Sequence, residues 1–109
     1  MMQAGELMWS ETEQQIAKVA FEKAYERETQ TLVQMIRDSA DQIAELKDLW
    51  KLHDFLSARR HDIDGKYDYD YSELIFTFAQ LVKQGWLNLE DLEGLDKTKI
   101  TKVAALTRM

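Results

Sequence analysis

The side chains with the most obvious chemistry lie between residues 53 and 64. His53 precedes Asp54 and His61 precedes Asp62, so each imidazole has a carboxylate beside it in the chain. An imidazole and a carboxylate within hydrogen-bonding distance can perform general acid–base catalysis. No glycine-rich turn or oxyanion donor accompanies them in the sequence, so the pairs favour an interaction surface on a helix over an active site. We therefore predict that the chain is not an enzyme.

The segment from Asp62 to Gly65 has the spacing of part of a calcium-binding loop. With Gly65 at the sixth position of such a loop, Asp62 and Asp64 would be the third and fifth ligands. The first ligand would then be Arg60 and the twelfth Tyr71, a cation and a phenol where carboxylates are needed. This mismatch argues against a calcium site.

Composition excludes several further kinds of chemistry. The chain has no cysteine, which removes disulfides, thiolate nucleophiles and iron–sulfur ligation. We therefore predict no cofactor and no metal. Twenty acids against fourteen bases give a net charge of −6, the wrong sign for a protein that binds nucleic acid through its phosphates. The acid-free stretch 97–109 is a local basic patch, and its cations are Lys97, Lys99, Lys102 and Arg108.

Helices must position these side chains, because strong helix breakers are rare. Proline is absent and the four glycines stand at positions 5, 65, 85 and 94. Ser10 followed by Glu13 has the pattern of a capping box, which predicts a helix start. A continuous helix from there to residue 64 would be on the order of 80 Å long. Such a rod must meet a second chain or fold back.

The pattern predicts an all-α fold with a long helical stalk and a compact helical head. We place the stalk at about 9–64, with a candidate break near 37–41, and the head at about 66–109, within one domain of residues 1–109. Asp70 is expected to begin a head helix that Gly85 ends, and Asp96 to begin another. The longest apolar run is the four residues from Val103 to Leu106, far short of a membrane span of about 20. No signal peptide is apparent, so a cytoplasmic location is expected.

A helical wheel of residues 43–63 separates two surfaces. The arc centred on Trp50 contains Ile43, Leu46, Trp50, His53, Asp54, Ser57, Arg60 and His61. The second surface is an aliphatic stripe of Leu49, Leu52, Leu56 and Ile63. We expect the stripe to fill the core of the head and the Trp50 arc to meet a second chain, giving a homodimer. Aromatic and arginine side chains are typical anchors of protein interfaces.

The segment DLWKLHDFLSARRHDIDGKYD, from Asp48 to Asp68, closely resembles the signature of the cyanobacterial fluorescence recovery protein family. The pair Trp9–Ser10, the segment KAYERE at Lys23–Glu28 and the segment IFTFAQLVKQG at Ile75–Gly85 are similar to that family too. The resemblance covers nearly the whole chain, and the part after Asn88 is looser.

This resemblance implies an all-helical dimer that regulates photoprotection without a chemical reaction. It implies binding to the C-terminal domain of the orange carotenoid protein, faster return of its active red form to the resting orange form, and its detachment from the phycobilisome. Non-photochemical quenching of fluorescence then ends. Association with thylakoid-bound phycobilisomes would be at most peripheral, on the cytoplasmic side.

The family's functional residues map onto positions of this sequence. Residues for dimerisation or activity fall on Trp50, His53, Asp54 and Arg60, and residues that contact the carotenoid protein fall on Phe76 and Lys102. The residues by themselves leave two alternatives open. One is a generic dimeric helical adaptor with an unrelated protein partner, and the other, weaker one is an acid–base enzyme that uses His53 and Asp54.

Overall fold

Four α-helices and one 3₁₀ turn make up most of residues 8–109, the part of the chain that the computed structural model describes. The elements are α1 (Glu11–Asp41), α2 (Leu46–Lys66), α3 (Leu74–Gln84), the 3₁₀ turn Leu89–Leu92 and α4 (Lys97–Thr107). These residues form no named β-strand, and the molecule is elongated, measuring 59 × 25 × 25 Å. The predicted all-α fold with an extended shape is confirmed. Within the same residues no helix combines the length and apolar character needed to span a bilayer.

Helix α1 begins at the predicted capping box. The Ser10 hydroxyl accepts a hydrogen bond of 3.1 Å from the Glu13 N–H, and the Glu13 carboxylate accepts one of 3.1 Å from the Ser10 N–H. Two amide groups that lack partners at a helix start are thereby satisfied. With no glycine or proline inside it, the helix then continues for 31 residues.

The long helical segment breaks after Asp41, slightly beyond the range 37–41 where we expected a candidate break. The Asp48 carboxylate accepts the N–H groups of Ala44 at 3.0 Å and Glu45 at 3.1 Å, and so caps the start of α2. These hydrogen bonds lower the pKa of Asp48. Because α2 packs back against α1, the molecule is shorter than the straight rod of about 80 Å that the sequence allowed.

The core of the head rests on small residues of α1. Ala17, Ala20 and Ala24 have no exposed surface and belong to one cluster with residues of the later elements, which include Leu74, Phe78, Leu81, Leu92 and Val103. Alanines allow two helices to approach closely, so the first part of α1 belongs with the head. The head therefore draws on residues well before position 66.

The prediction that the aliphatic stripe of α2 fills this core is wrong. Leu49 is 45% exposed and Leu56 is 38% exposed. Ile63 is buried but is not part of the core cluster, and Leu52 is half-buried. The physical reason is that the alanine surface of α1 already covers the helices of the head, so the stripe is left outside.

One of the three predicted boundaries in the head needs refinement. Gly85 ends α3 at φ 88°, in the left-handed conformation, as predicted. Asp70 lies earlier than the helix it was expected to begin, because its carboxylate accepts the Ser72 N–H at 3.0 Å and α3 starts at Leu74. Asp96 is the N-cap residue of α4, as predicted, although its side chain makes no capping hydrogen bond.

A buried ion pair joins the start of α1 to the start of α4. The Lys99 ammonium lies 3.0 Å from both carboxylate oxygens of Glu13 and donates to the Met8 carbonyl at 2.6 Å. The same carboxylate accepts the Asp96 N–H at 2.9 Å. Burial raises the pKa of Glu13, but the hydrogen bonds from Asp96, Ser10 and Lys99 outweigh it and lower the pKa to about 2.

We expect the contribution of Glu13 to the free energy of unfolding to disappear in acid. A carboxyl whose pKa falls from 4.5 to about 2 on folding stabilises the fold fully above pH 4.5, and this contribution is lost as the pH approaches 2. Urea unfolding of the parent and of Glu13→Gln should therefore differ most near neutral pH and converge towards pH 2. Glu11→Gln, an exposed change in the same helical turn, should follow the parent at every pH. Parallel curves for the parent and Glu13→Gln would contradict the prediction.

Candidate interaction surfaces

Three of the four predicted interface residues on α2 form one exposed cluster. Trp50 is 55% exposed, and its ring meets the His53 ring edge-on with the centroids 6.3 Å apart. Nδ1 of His53 lies 3.3 Å from a carboxylate oxygen of Asp54. The side chains of His53 and Asp54 are 70% and 83% exposed. The cluster is a tryptophan bordered by a histidine–carboxylate pair, open to a partner.

Arg60 lies apart from this cluster. Its Nε is 3.8 Å from a carboxylate oxygen of Asp64, one turn further along α2, and its side chain is 86% exposed. Asp54 and Arg60 are about 9 Å apart along the helix axis, and no ion pair joins them within residues 8–109. Each of the two charges is therefore available to a group on another chain.

The carboxylates that suggested a calcium loop are engaged with arginines. Asp64 pairs with Arg60, and Asp62 accepts a hydrogen bond of 3.2 Å from Arg59. The described part of the chain brings no three metal-ligating side chains together. Asp62 and Asp64 thus serve to orient the cations of α2.

Large apolar side chains are exposed along the outer half of the molecule. From here on we use the name stalk for residues 29–66, in place of the predicted 9–64; these residues comprise the rest of α1, the turn after it and α2. The apolar side chains are between 36% and 63% exposed: Val33, Met35, Ile43, Leu46, Leu49, Trp50, Phe55 and Leu56. Apolar exposure on this scale marks an interaction surface. The aliphatic stripe and the Trp50 arc, which the wheel assigned to different partners, both contribute to it.

The two predicted contact residues of the head lie on neighbouring helices. Phe76 on α3 is 57% exposed, whereas Phe78 two residues later has no exposed surface. Lys102 is exposed on α4, which packs directly against α3. Lys99, counted in the basic patch from the sequence, is instead buried against Glu13. The free positive charge on the described part of the tail is therefore smaller than the sequence suggested.

A second buried charge, Glu28, was missed at the sequence level. Its carboxylate accepts hydrogen bonds from Arg59 at 2.8 Å, from Lys66 at 2.9 Å and from the Tyr67 hydroxyl at 2.7 Å, and the residue is only 1% exposed. Burial raises the pKa of Glu28, but the bonds from Lys66, Tyr67 and Arg59 reverse this and lower it. Burial and the bond to Glu28 both raise the pKa of Tyr67.

The Glu28 hub, by which we mean Glu28, Arg59, Lys66 and Tyr67, fixes the position of α2 on α1. A signal for it exists in the sequence, since Glu28 continues the three- and four-residue spacing of the buried alanines. A glutamate in register with a buried surface must find a cation. Because Arg59 is held inward by the hub, its neighbour Arg60 is left pointing into solvent.

Comparisons with known proteins agree on a single family. A family model described as "Photoprotection regulator fluorescence recovery protein" matches residues 9–107. The fluorescence recovery protein of Synechocystis sp. is 50% identical over 109 residues, which is 100% of both chains.

Solved structures give the same result. The fluorescence recovery protein of Fremyella diplosiphon aligns with a TM-score of 0.91 at 61% identity, over 94% of this chain and 100% of that chain. The fluorescence recovery protein of Synechocystis sp. PCC 6803 aligns with a TM-score of 0.90 at 50% identity, with the same coverage. The chain shares both its fold and at least half of the aligned residues with these proteins.

Proposed function

Because this chain belongs to the fluorescence recovery protein family, we propose that it binds the orange carotenoid protein and accelerates the return of its active red form to the resting orange form. The family regulates photoprotection, so the chain is a regulator and not an enzyme. We further propose that it promotes detachment of the carotenoid protein from the phycobilisome and so ends quenching of fluorescence. The observation that carries the proposal is the family match over residues 9–107.

The proposed mechanism is catalysis of a conformational change by differential binding. A protein surface that binds the transition state between the red and the compact orange form more tightly than it binds the red form lowers the barrier. The barrier falls by the difference between the two binding free energies. Each 1.4 kcal/mol of that difference speeds the return about tenfold. Exposed side chains that need no covalent chemistry are sufficient for this role.

The proposed assembly is a homodimer formed through the stalk. The exposed apolar side chains of the stalk would be covered by a second copy, with Trp50 as the anchor. His53, Asp54 and Arg60 would supply polar contacts across the interface, since their side chains are exposed and Arg60 lies too far from the other two to pair with them in one chain.

The proposed binding surface for the carotenoid protein is on the head. Phe76 would supply apolar contact area to the C-terminal domain of that partner, and Lys102 would attract an acidic surface. Through this partner the chain would work on the cytoplasmic side of thylakoid membranes, without inserting into them.

We expect the chain to speed recovery in a direct assay. The orange carotenoid protein is converted to its red form by light, the chain is added in the dark, and the loss of red absorbance is timed. Faster loss of red absorbance when there are fewer copies of the chain than of the carotenoid protein supports the proposal. An unchanged rate at saturating chain would contradict it and leave the adaptor alternative.

Two variants of the head should distinguish long-range electrostatic attraction from direct apolar contact in the same assay. Lys102→Glu should slow recovery through weaker association, leave the dimer intact and make the remaining activity less sensitive to salt, since charge steering is screened by ions. Phe76→Ser should lower activity at every salt concentration. Lys97→Glu makes the same charge change about 140° around α4 and should have the smaller effect. A Lys102→Glu rate equal to the parent at low salt would exclude Lys102 from the binding surface.

A further inference from the structure

An open groove with a volume of about 930 Å³ lies between the first half of α1 and the segment that links α2 to α3. It involves none of the residues assigned above to the dimer or to the carotenoid protein. Four aromatic side chains line it: Phe21 and Tyr25 from α1, and Tyr67 and Tyr69 from the link. The groove is thus an aromatic site that the proposed function leaves unused.

The aromatic rings stand nearly perpendicular to one another. Phe21 meets Tyr67 at 82° and Tyr69 at 77°, with centroids 5.4 Å and 4.8 Å apart. Tyr25 meets Tyr67 at 87° with centroids 5.1 Å apart. Each edge-on contact covers one ring face, but Tyr25 is still 46% exposed and Tyr69 37% exposed. The face of an aromatic ring carries the negative part of its quadrupole. The walls of the groove therefore favour a cation.

One wall of the groove is held rigid. The Tyr67 hydroxyl donates to the buried Glu28 at 2.7 Å, which fixes the ring in place. The Lys66 ammonium already lies 5.5 Å from the centroid of the Tyr67 ring, so this aromatic cluster accepts one cation within the chain. A rigid wall reduces the entropy lost when a ligand binds.

The charges at the edge of the groove are mainly negative. Glu22 and Glu26 are one helical turn apart, so their exposed carboxylates share a side of α1. Neither carboxylate is in an ion pair within residues 8–109. Lys18 is the opposing cation among the lining residues, which leaves these three side chains with a net charge of −1.

We propose that this groove binds an arginine side chain presented by an exposed segment of a partner protein. A guanidinium is planar and weakly hydrated, stacks on aromatic faces and donates paired hydrogen bonds to carboxylates. Aromatic faces beside two free carboxylates match all of these properties. An anion is repelled by Glu22 and Glu26, and a purely apolar ligand leaves those carboxylates without a partner.

A second copy of the chain fits this groove less well than another protein does. The exposed apolar side chains that we assign to the contact with a second copy lie between Val33 and Leu56, in the stalk. Phe21 is about 30 Å from the end of α1 at 1.5 Å per residue. The inference is independent of the proposed function, because it concerns different residues and needs no carotenoid protein.

The test measures binding of a short peptide to the full chain. Acetyl-Gly-Arg-Gly-amide is titrated into the protein while NMR follows the ring signals of the tyrosines. The matched peptide with citrulline in place of arginine keeps the shape and removes the charge. We expect the arginine peptide to bind with a dissociation constant on the order of 1 to 10 mM, typical of one side chain, and to shift the Tyr25 and Tyr67 signals. The citrulline peptide should bind at least about threefold more weakly.

Two variants identify the groups responsible. The double change Glu22→Gln with Glu26→Gln should raise the dissociation constant of the arginine peptide three- to tenfold, as expected for the loss of two exposed charge contacts. Tyr25→Leu keeps an apolar side chain but removes the aromatic face, and it should weaken binding about threefold. Glu90→Gln with Glu93→Gln, the same charge change outside the groove, should leave binding unchanged.

Several outcomes would overturn the proposal. Equal binding of the citrulline peptide would show that charge is not recognised, and equal binding of a lysine peptide would show that a point charge is enough. A smaller mass in light scattering for Tyr25→Leu would mean that a second copy occupies the groove. Circular dichroism of each variant verifies that the helices are intact, so a loss of binding reports on the groove itself.

Discussion

Trp50→Ala is expected to separate the proposed dimer while leaving each chain helical. Truncation of a central aromatic anchor costs 2 kcal/mol or more at an interface, so the dimer dissociation constant should rise about 30-fold or more. In the single chain Trp50 is 55% exposed, so little packing is lost there. Light scattering over a range of concentrations gives the mass, and circular dichroism gives the helix content.

A matched aromatic change on the head is the control for this result. Phe76 is exposed to a similar extent, 57%, and Phe76→Ala should leave the dimer intact. If Trp50→Ala lowers the mass and the helix content together, Trp50 supports the fold of its own chain. If the variant stays dimeric at every accessible concentration, the stalk interface has a different anchor.

Glu28→Gln is expected to cause a large loss of stability. Removal of one partner of a buried ion pair costs about 3 to 5 kcal/mol, because the other charge stays buried without compensation. Here the Lys66 ammonium would be left in that state, since its side chain is only 5% exposed. Urea unfolding measures the loss, and the melting temperature should fall by more than about 10 °C.

Glu26→Gln is the matched control two residues away. Its carboxylate is exposed on the same helix, so the change should alter the free energy of unfolding by no more than about 0.5 kcal/mol. Equal unfolding curves for Glu28→Gln and Glu26→Gln would mean that the hub only orients α2 and adds no net stability.

Local features of the fold were predictable because their causes are local. The capping box of Ser10 and Glu13 and the glycine that ends α3 each depend on residues within one turn of the helix. The wheel also placed Trp50 on a face that is exposed, although its reason, burial of the opposite stripe in the core, was wrong. The family resemblance rested on a contiguous segment, and the family match over residues 9–107 agrees with it.

The remaining features depend on contacts between distant residues. The position of the break is set by Asp48, which lies inside the next helix and outside the range 37–41 where a break was expected. Glu28 pairs with Arg59, which lies 31 residues further along the chain, and nothing in the intervening sequence indicates that pairing. The wheel assigned the two faces of α2 to different partners, but it could not show that the alanines of α1 would occupy the core in place of its leucines, which leaves both faces exposed.

The ion pair between Glu13 and Lys99 affects the order in which the molecule can fold during synthesis. Its two residues are 86 positions apart. At a ribosomal rate of about 5 to 20 residues per second, Glu13 is synthesised roughly 4 to 17 seconds before Lys99. During that interval the alanine surface of α1 lacks α4, and the amide of Asp96 has not yet been made. The head therefore closes late in translation or after it, and a chaperone that shields α1 has several seconds in which to act.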